Sequence, residues 1–425
     1  MISTILGAFR IKEIRKKVLF TAAILALYRL GSYIPAPGIN SGALQQIQKS
    51  LGGDSILGLL NTFSGGGLGR IALFATGVMP FITASIIFQL LSAVLPSLEK
   101  LRKEPNGQET ITQYTRYLTV GLAFGQSIGY VFLFKSFESQ AGVTLIANFN
   151  VGKIFLIAIT LTGGTMLLMW MGELITQRGI GNGISLLIFA SIVSRIPSGL
   201  QSWWTSPDQV FKVMMPFIVF AVVAAIVFVQ TGQRRIPIQF ANRQIGRRMT
   251  AGGQTYLPLM VNMAGVIPVI FAASMMALPP TVGQLIGQNR PGFGTSLYNF
   301  LSPGGWHYVV GESVLIILFT YFYTAVTFNP VEQADNLRQQ GGFIPGVRPG
   351  RPTAEFLDRI LARLTLPGAL FLAAVAALPT ILIDQTGANF AFGGTSILIV
   401  IGVALQTMQQ LEAQLQMRSY EGFLR

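Results

Sequence analysis

Between Gly52 and Pro96 the chain carries an apolar piece too short to cross a membrane, then a glycine break, then an apolar run long enough to cross one. The short piece holds Ile56, Leu57, Leu59 and Leu60 and stops at Ser64-Gly65-Gly66-Gly67. The long run extends from Ile71 to Leu95, and a hydrocarbon core of about 30 Å needs about 20 helical residues. A half-length segment joined by glycines to a full span is a re-entrant element. Such backbone persists at membrane depth only where protein buries it or where it lines a cavity. The rest of the chain is expected to form the wall around it.

Composition agrees. Of 425 residues 51% are hydrophobic and 11% charged, against about 25% charged in soluble proteins. The class is a polytopic, all-α membrane protein. The absence of cysteine excludes disulfides, thiol catalysis and Cys-ligated metal, and the single histidine, His307, argues against a His-based site. No P-loop, H-E-x-x-H or G-x-S-x-G occurs. Gly179-Ile180-Gly181-Asn182-Gly183 lacks dinucleotide-binding spacing and reads as a flexible helix start. The acids Glu173, Glu312 and Glu412 fall near span ends, whereas coupled carriers place ionisable groups at the midplane. No catalytic residue, cofactor or metal is expected.

Residues 1–17 form a basic amphipathic segment, and ten spans are expected at 18–34, 71–95, 117–134, 154–175, 180–196, 213–230, 257–279, 309–328, 364–383 and 393–414, with a tail at 415–425. The basic start resembles a signal peptide, but Arg29 interrupts the apolar run and no A-x-A site follows, so it is read as a retained first span. With a cytoplasmic N-terminus, only seven of the 30 lysines and arginines face outside, and Arg29 sits within a span. The positive-inside rule selects this orientation, with both termini cytoplasmic, and it accounts for much of the +14 net charge. The external loop 201–211 splits the spans five and five, giving halves at 18–200 and 212–414. An odd number per half inverts the second half, as in inverted repeats, although the halves show no convincing sequence similarity. The cytoplasmic loops 234–256 and 331–363 are long, basic and rich in turn residues. Their arginines serve orientation and lipid headgroups, or they form a docking platform for an acidic protein surface or RNA phosphate.

Several stretches, in this order, resemble the SecY family of protein-conducting channels. They are Tyr28-Arg29-Leu30-Gly31 with Ile34-Pro35-Ala36-Pro37-Gly38; Asn61-Thr62-Phe63-Ser64-Gly65-Gly66; Met79-Pro80-Phe81-Ile82-Thr83-Ala84-Ser85; Gly179 to Ser185; Arg234-Arg235-Ile236-Pro237; Asn262 to Pro268; Gly342 to Gly350; and Tyr420-Glu421-Gly422. The resemblance covers nearly the whole chain and looks bacterial. It implies two inverted five-helix halves around a central pore in the cytoplasmic membrane, with residues 52–69 as a plug that includes Asn61, Phe63, Ser64, Gly65, Gly66 and Gly67. The family's constriction ring maps onto Ile82, Ile86, Ile184, Ile188, Ile267, Ile270 and Ile399. The i,i+4 and i,i+3 spacings put each pair on one helix face, and β-branched side chains form a stiff lining that dewets when empty.

A lateral gate between the second and seventh spans would involve Thr83, Ser85, Ile87, Gln89, Asn262 and Ser274, with Ile87 and Ser274 as a guessed facing pair. For Thr83, Ser85 and Ser274, back-bonding within one helix is an equal alternative. Docking would fall to Arg234, Arg235, Arg243, Arg247, Arg248, Arg348 and Arg351. Implied partners are SecE-like and SecG-like small membrane subunits, a SecA-type motor ATPase, the ribosome, signal sequences, unfolded polypeptides and membrane lipids. The alternative outside this class is an inverted-repeat secondary transporter. An intramembrane hydrolase would need a nucleophile–base pair that the sequence does not supply.

Overall fold

A computed structural model describes residues 11–40, 64–141, 144–146, 149–205, 209–240, 243–245, 248–250, 253–276, 292, 305–386 and 394–423. In chain order the helices are α1 (Lys12–Gly31), α2 (Met79–Val94), α3 (Pro96–Lys103), α4 (Gly107–Ala141), α5 (Val151–Arg178), α6 (Gly183–Val193), α7 (Ile196–Thr205) and α8 (Gln209–Thr231). Strands β1 (Gln233–Phe240), β2 (Arg243–Ile245), β3 (Arg248–Thr250) and β4 (Gln254–Met260) follow. Then come α9 (Ile267–Met276), α10 (Trp306–Thr327), α11 (Pro330–Gln339), β5 (Gly342–Phe343), α12 (Arg351–Thr386) and α13 (Gly394–Phe423).

Among the described residues, seven helical stretches are long and apolar enough to cross a membrane, or eight if α2 and α3, bent by 105°, count as one. Two of the expected spans fall short for local reasons. The span at 71–95 is helical only from Met79, because Pro80 occupies the first turn and residues 64–78 run as successive turns. The span at 257–279 begins as strand β4, and its helix starts at Ile267; residues 277–279 lie outside the described residues. Elsewhere the helices overrun the expected bounds. α1 starts at Lys12, so Arg15, Lys16 and Lys17 share a helix with the first span. α7 takes up residues 201–205 of the external loop, and α13 carries the expected tail to Phe423.

The expected flexible start at 179–183 is a tight corner instead. Asn182 caps α6, its side-chain oxygen accepting from Ile184 N at 3.1 Å and Ser185 N at 3.3 Å. A Cβ on Gly183 would stand 1.9 Å from the Gly172 carbonyl oxygen, so the glycine allows close approach of α6 to α5.

The two basic loops are one structure. β1 pairs antiparallel with β4 over Gln233–Gln239, and its far end pairs with β5 through Gln239↔Phe343 and Phe240↔Gly342. The strand order β4-β1-β5 therefore joins loop 234–256 to loop 331–363. Ile236 and Leu259 pack with Phe328, Ile344, Leu357 and Ile360 beneath the sheet. The main apolar core gathers α1, α2, α4, α5, α6, α8, α9, α10, α12 and α13.

Candidate functional site

A cavity of about 380 Å³ lies among α2, α6 and α9. Its apolar wall is Phe81 and Ile82 from α2, Ile184 and Ile188 from α6, and Ile267, Ile270 and Phe271 from α9. Five of the seven expected ring isoleucines thus line one space. The other two, Ile86 and Ile399, are buried in the same core at 6% and 0% exposure. Ile399 reaches it because Gly402, one turn later on α13, lets that helix press on the chain leading into α9; a Cβ there would stand 2.0 Å from Val266 Cγ1.

The rest of the lining is polar. It comprises Ser85 and Gln89, Thr112 and Arg116 of α4, Glu173, Thr176 and Gln177 of α5, Asn182, Ser185, and Tyr323 of α10. Arg116 and Glu173 form a bidentate pair, Nε to Oε1 at 2.8 Å and Nη2 to Oε2 at 2.6 Å. Hydropathy placed both residues near span ends, but it carries no signal that they meet across 57 positions of sequence.

The residues assigned to a gate divide. Thr83 Oγ1 donates to Met79 O at 3.1 Å within its own helix, and Gln89 Nε2 donates to Ser85 Oγ at 3.3 Å. Asn262 is buried, with Nδ2 donating to Gly265 O at 2.8 Å, while its Oδ1 and the Oε1 of Gln89 have no protein partner among the described residues. Ser274 Oγ donates to Ile270 O at 2.7 Å and touches Met79 Sδ at 3.4 Å. The neighbour of Ser274 on α2 is therefore Met79. Ile87, the guessed partner, lies two turns further along α2, about 12 Å away at 1.5 Å per residue.

Of the residues expected in the plug, Asn61 and Phe63 lie outside the described residues. Ser64, Gly65 and Gly67 are buried and Gly66 is half-buried. Of the basic residues, Arg234, Arg235, Arg348 and Arg351 are exposed, and Arg351 has an i,i+4 contact with Glu355 at 3.4 Å. Arg243 lies on β2 and Arg248 on β3; Arg247 is outside the described residues.

These features define a class: a multi-pass helical membrane protein built around an apolar-walled cavity. A family model described as SecY matches residues 72–408. The protein translocase subunit SecY of Mycobacterium tuberculosis (strain ATCC 25618 / H37Rv) is 47% identical over 442 residues, spanning 100% of both chains. Those of Streptomyces galbus and Corynebacterium glutamicum are 47% and 45% identical, again over 100% of each chain. A solved structure described as that of a protein conducting channel superposes with TM-score 0.66 over 93% of this chain and 91% of that one, at 20% identity. Sec61 in the canine ribosome-channel complex gives 0.63 over 93% and 91%, at 19% identity. The two structures speak for the fold; the family follows from the sequence. The chain belongs to the SecY family, whose members are channel subunits and not enzymes.

Proposed function

We propose that this chain forms the pore through which unfolded polypeptides cross the bacterial cytoplasmic membrane, and that apolar segments leave it sideways between α2 and α9. The carrying observation is that isoleucines from three helices wall one cavity, with a fourth helix behind them. The isoleucine-lined wall offers a passing chain no fixed hydrogen bonds, and a constriction of such side chains excludes water and ions when empty. Across the seam Ser274 Oγ meets Met79 Sδ, and the polar groups nearby are modest, consistent with an interface that parts.

The seven isoleucines are the ring, and Ser64 to Gly67 belong to the plug. The sheet β4-β1-β5 is the cytoplasmic platform on which a SecA-type motor or a ribosome docks, through Arg234, Arg235, Arg243, Arg247, Arg248, Arg348 and Arg351. Both termini are cytoplasmic, two inverted halves enclose the pore, and SecE-like and SecG-like subunits complete it. Against a coupled transporter stands the cavity's ion pair: Arg116 and Glu173 satisfy each other and leave no free acid facing the cavity among the described residues.

The test is single-channel conductance in planar bilayers without substrate. Ile188→Asn and Ile270→Asn, singly and together, hydrate the constriction and leak, the double variant most. A folded double variant that stays closed would sink the ring assignment.

A further inference from the structure

The conduction path gives no role to Arg29, an arginine in the last turn of α1. Its Nη1 donates to the Gly65 carbonyl oxygen at 2.6 Å, and its Nη2 donates to Tyr33 Oη at 3.0 Å. The Tyr33 ring stands between two guanidinium groups, with Arg29 Cζ 4.9 Å and Arg70 Cζ 4.0 Å from its centroid. One residue earlier, the Tyr28 hydroxyl is hydrogen-bonded to Ser191 Oγ of α6, and its ring stacks on Phe74 at 5.8 Å.

The turn itself has little room. Gly65 and Gly66 adopt φ of +64° and +87°, a region that favours glycine. A methyl group on Gly65 would stand 2.7 Å from Tyr28 Oη and 3.3 Å from Ser191 Cα. Ser64 Oγ accepts from Leu68 N at 2.9 Å, and Gly67 N donates to Ser64 O at 3.1 Å. A few residues on, Ile71 is fully buried at φ +45°, a conformation that a β-branched residue holds only where its surroundings impose it. Ala36 N donates to the Ile71 carbonyl at 2.9 Å and supplies part of that constraint.

We propose that Arg29 is a positioning residue that clamps the Ser64–Gly67 turn to α1 and α6, so that these glycines are a fixed anchor of the resting channel and not its hinge. A charged donor on a carbonyl makes a stronger hydrogen bond than a neutral one, and losing it removes the partner of the buried Gly65 carbonyl. Ser191 lies one turn beyond Ile188, so the anchor bears on the α6 face that carries a ring isoleucine. The inference rests on the reading of Ser64 to Gly67 as part of the resting seal.

Conductance of the reconstituted channel without substrate tests both ideas separately. Arg29→Gln raises the resting open fraction about tenfold, as loss of one charged hydrogen bond implies, and Arg29→Lys, which keeps a donor, raises it less. Gly65→Ala leaks as well although Arg29 is intact, because its methyl group pushes the turn off Tyr28. Tyr28→Phe, which removes only a hydroxyl, carries the test if Arg29→Gln does not fold. In a channel lacking Ser64 to Gly67, Arg29→Gln adds no further leak, since its target is gone. A leaky deletion with tight Arg29→Gln, Gly65→Ala and Tyr28→Phe channels overturns the anchor and leaves the seal standing. A tight, folded deletion overturns the seal and the anchor with it. Additive leaks overturn the anchor by showing that Arg29 acts elsewhere, and a variant that only lowers the unfolding temperature shows a structural residue and no clamp.

Discussion

Gly77-Val78-Met79-Pro80-Phe81-Ile82 leads into α2, and Gly265-Val266-Ile267-Pro268-Val269-Ile270 leads into α9. Both glycines sit in the left-handed region, at φ 60° and 63°, and both prolines occupy the first helical turn. Each of these helix starts delivers an isoleucine, Ile82 or Ile270, to the cavity wall. What holds them differs. The chain before α2 is packed into the body: the Gly164 Cα on α5 meets the Leu73 carbonyl so closely that a Cβ would stand 1.9 Å from its oxygen, and Thr76 is hydrogen-bonded to Thr165. The chain before α9 continues from the sheet β4-β1-β5. Val261 follows β4 directly, its N–H donating to Gly232 O at 3.0 Å, with Gly368 of α12 against its carbonyl. Both helix starts thus pack into the core, the second through Val266 against Gly402 of α13, and the second is tied as well to the sheet that carries the exposed arginines.

Joining the walls gives the largest effect. Met79→Cys with Ser274→Cys, in a chain with no cysteine of its own, cross-links on oxidation, blocks transport and signal-sequence insertion, and recovers on reduction. Ile87→Cys with Ser274→Cys gives no cross-link. Full transport with the first pair oxidised would place the opening elsewhere.

Overfilling the two helix starts sharpens the contrast. At Gly164 the obstacle is backbone, so Gly164→Ala destabilises by about 2–3 kcal/mol, whereas at Gly402 it is the side chain of buried Val266, which must change rotamer or shift with its backbone, so Gly402→Ala costs about 1–2 kcal/mol. Unfolding midpoints of the purified proteins measure both. Equal losses would mean that the second wall is held as rigidly as the first.

At the platform, Arg348→Glu lowers motor-driven transport several-fold and leaves insertion and topology intact, read as protease-protected precursor. Its side chain is exposed, so folding is unaffected. Unchanged transport would detach the platform from the function proposed for it.

The smallest effect is at the C-terminal end of α4, beyond its apolar run. Burial pushes the Glu138 carboxyl upward, but the Lys135 ammonium at 2.8 Å and the Ile146 N–H at 3.3 Å outweigh it and hold the pKa below the ordinary 4.5. A depressed carboxyl pKa stabilises the folded state fully above about 4.5, and the contribution is lost as pH falls from there through the lowered folded value. The loop at 144–146, which pairs with Ile39 and Asn40, therefore loosens in acid, by about 0.5–1 kcal/mol for an ion pair with an exposed partner. Hydrogen exchange at pH 7 and pH 2.5, each set against the intrinsic rate at that pH, measures this, and Glu138→Gln removes the difference.

Much of the protein is written in the sequence because it depends on local rules. Hydropathy marks most of the spans, the basic loops support the proposed orientation, and a run of short motifs points to the family. Local sequence also sets where α2 and α9 begin, although the six-residue likeness between their first turns is too short to stand out without the matching φ angles. Tertiary structure decided which residues meet. Met79 and Ser274 are 195 positions apart, and nothing in either neighbourhood selects Met79 over Ile87. The Arg116–Glu173 pair and the hold of Arg29 on Gly65 are equally non-local. Two basic loops became one platform only because the end of β1 found β5. Spacing puts isoleucines on one face of each helix, but bringing those faces together takes packing among helices distant in sequence, and that information is carried by the whole core at once.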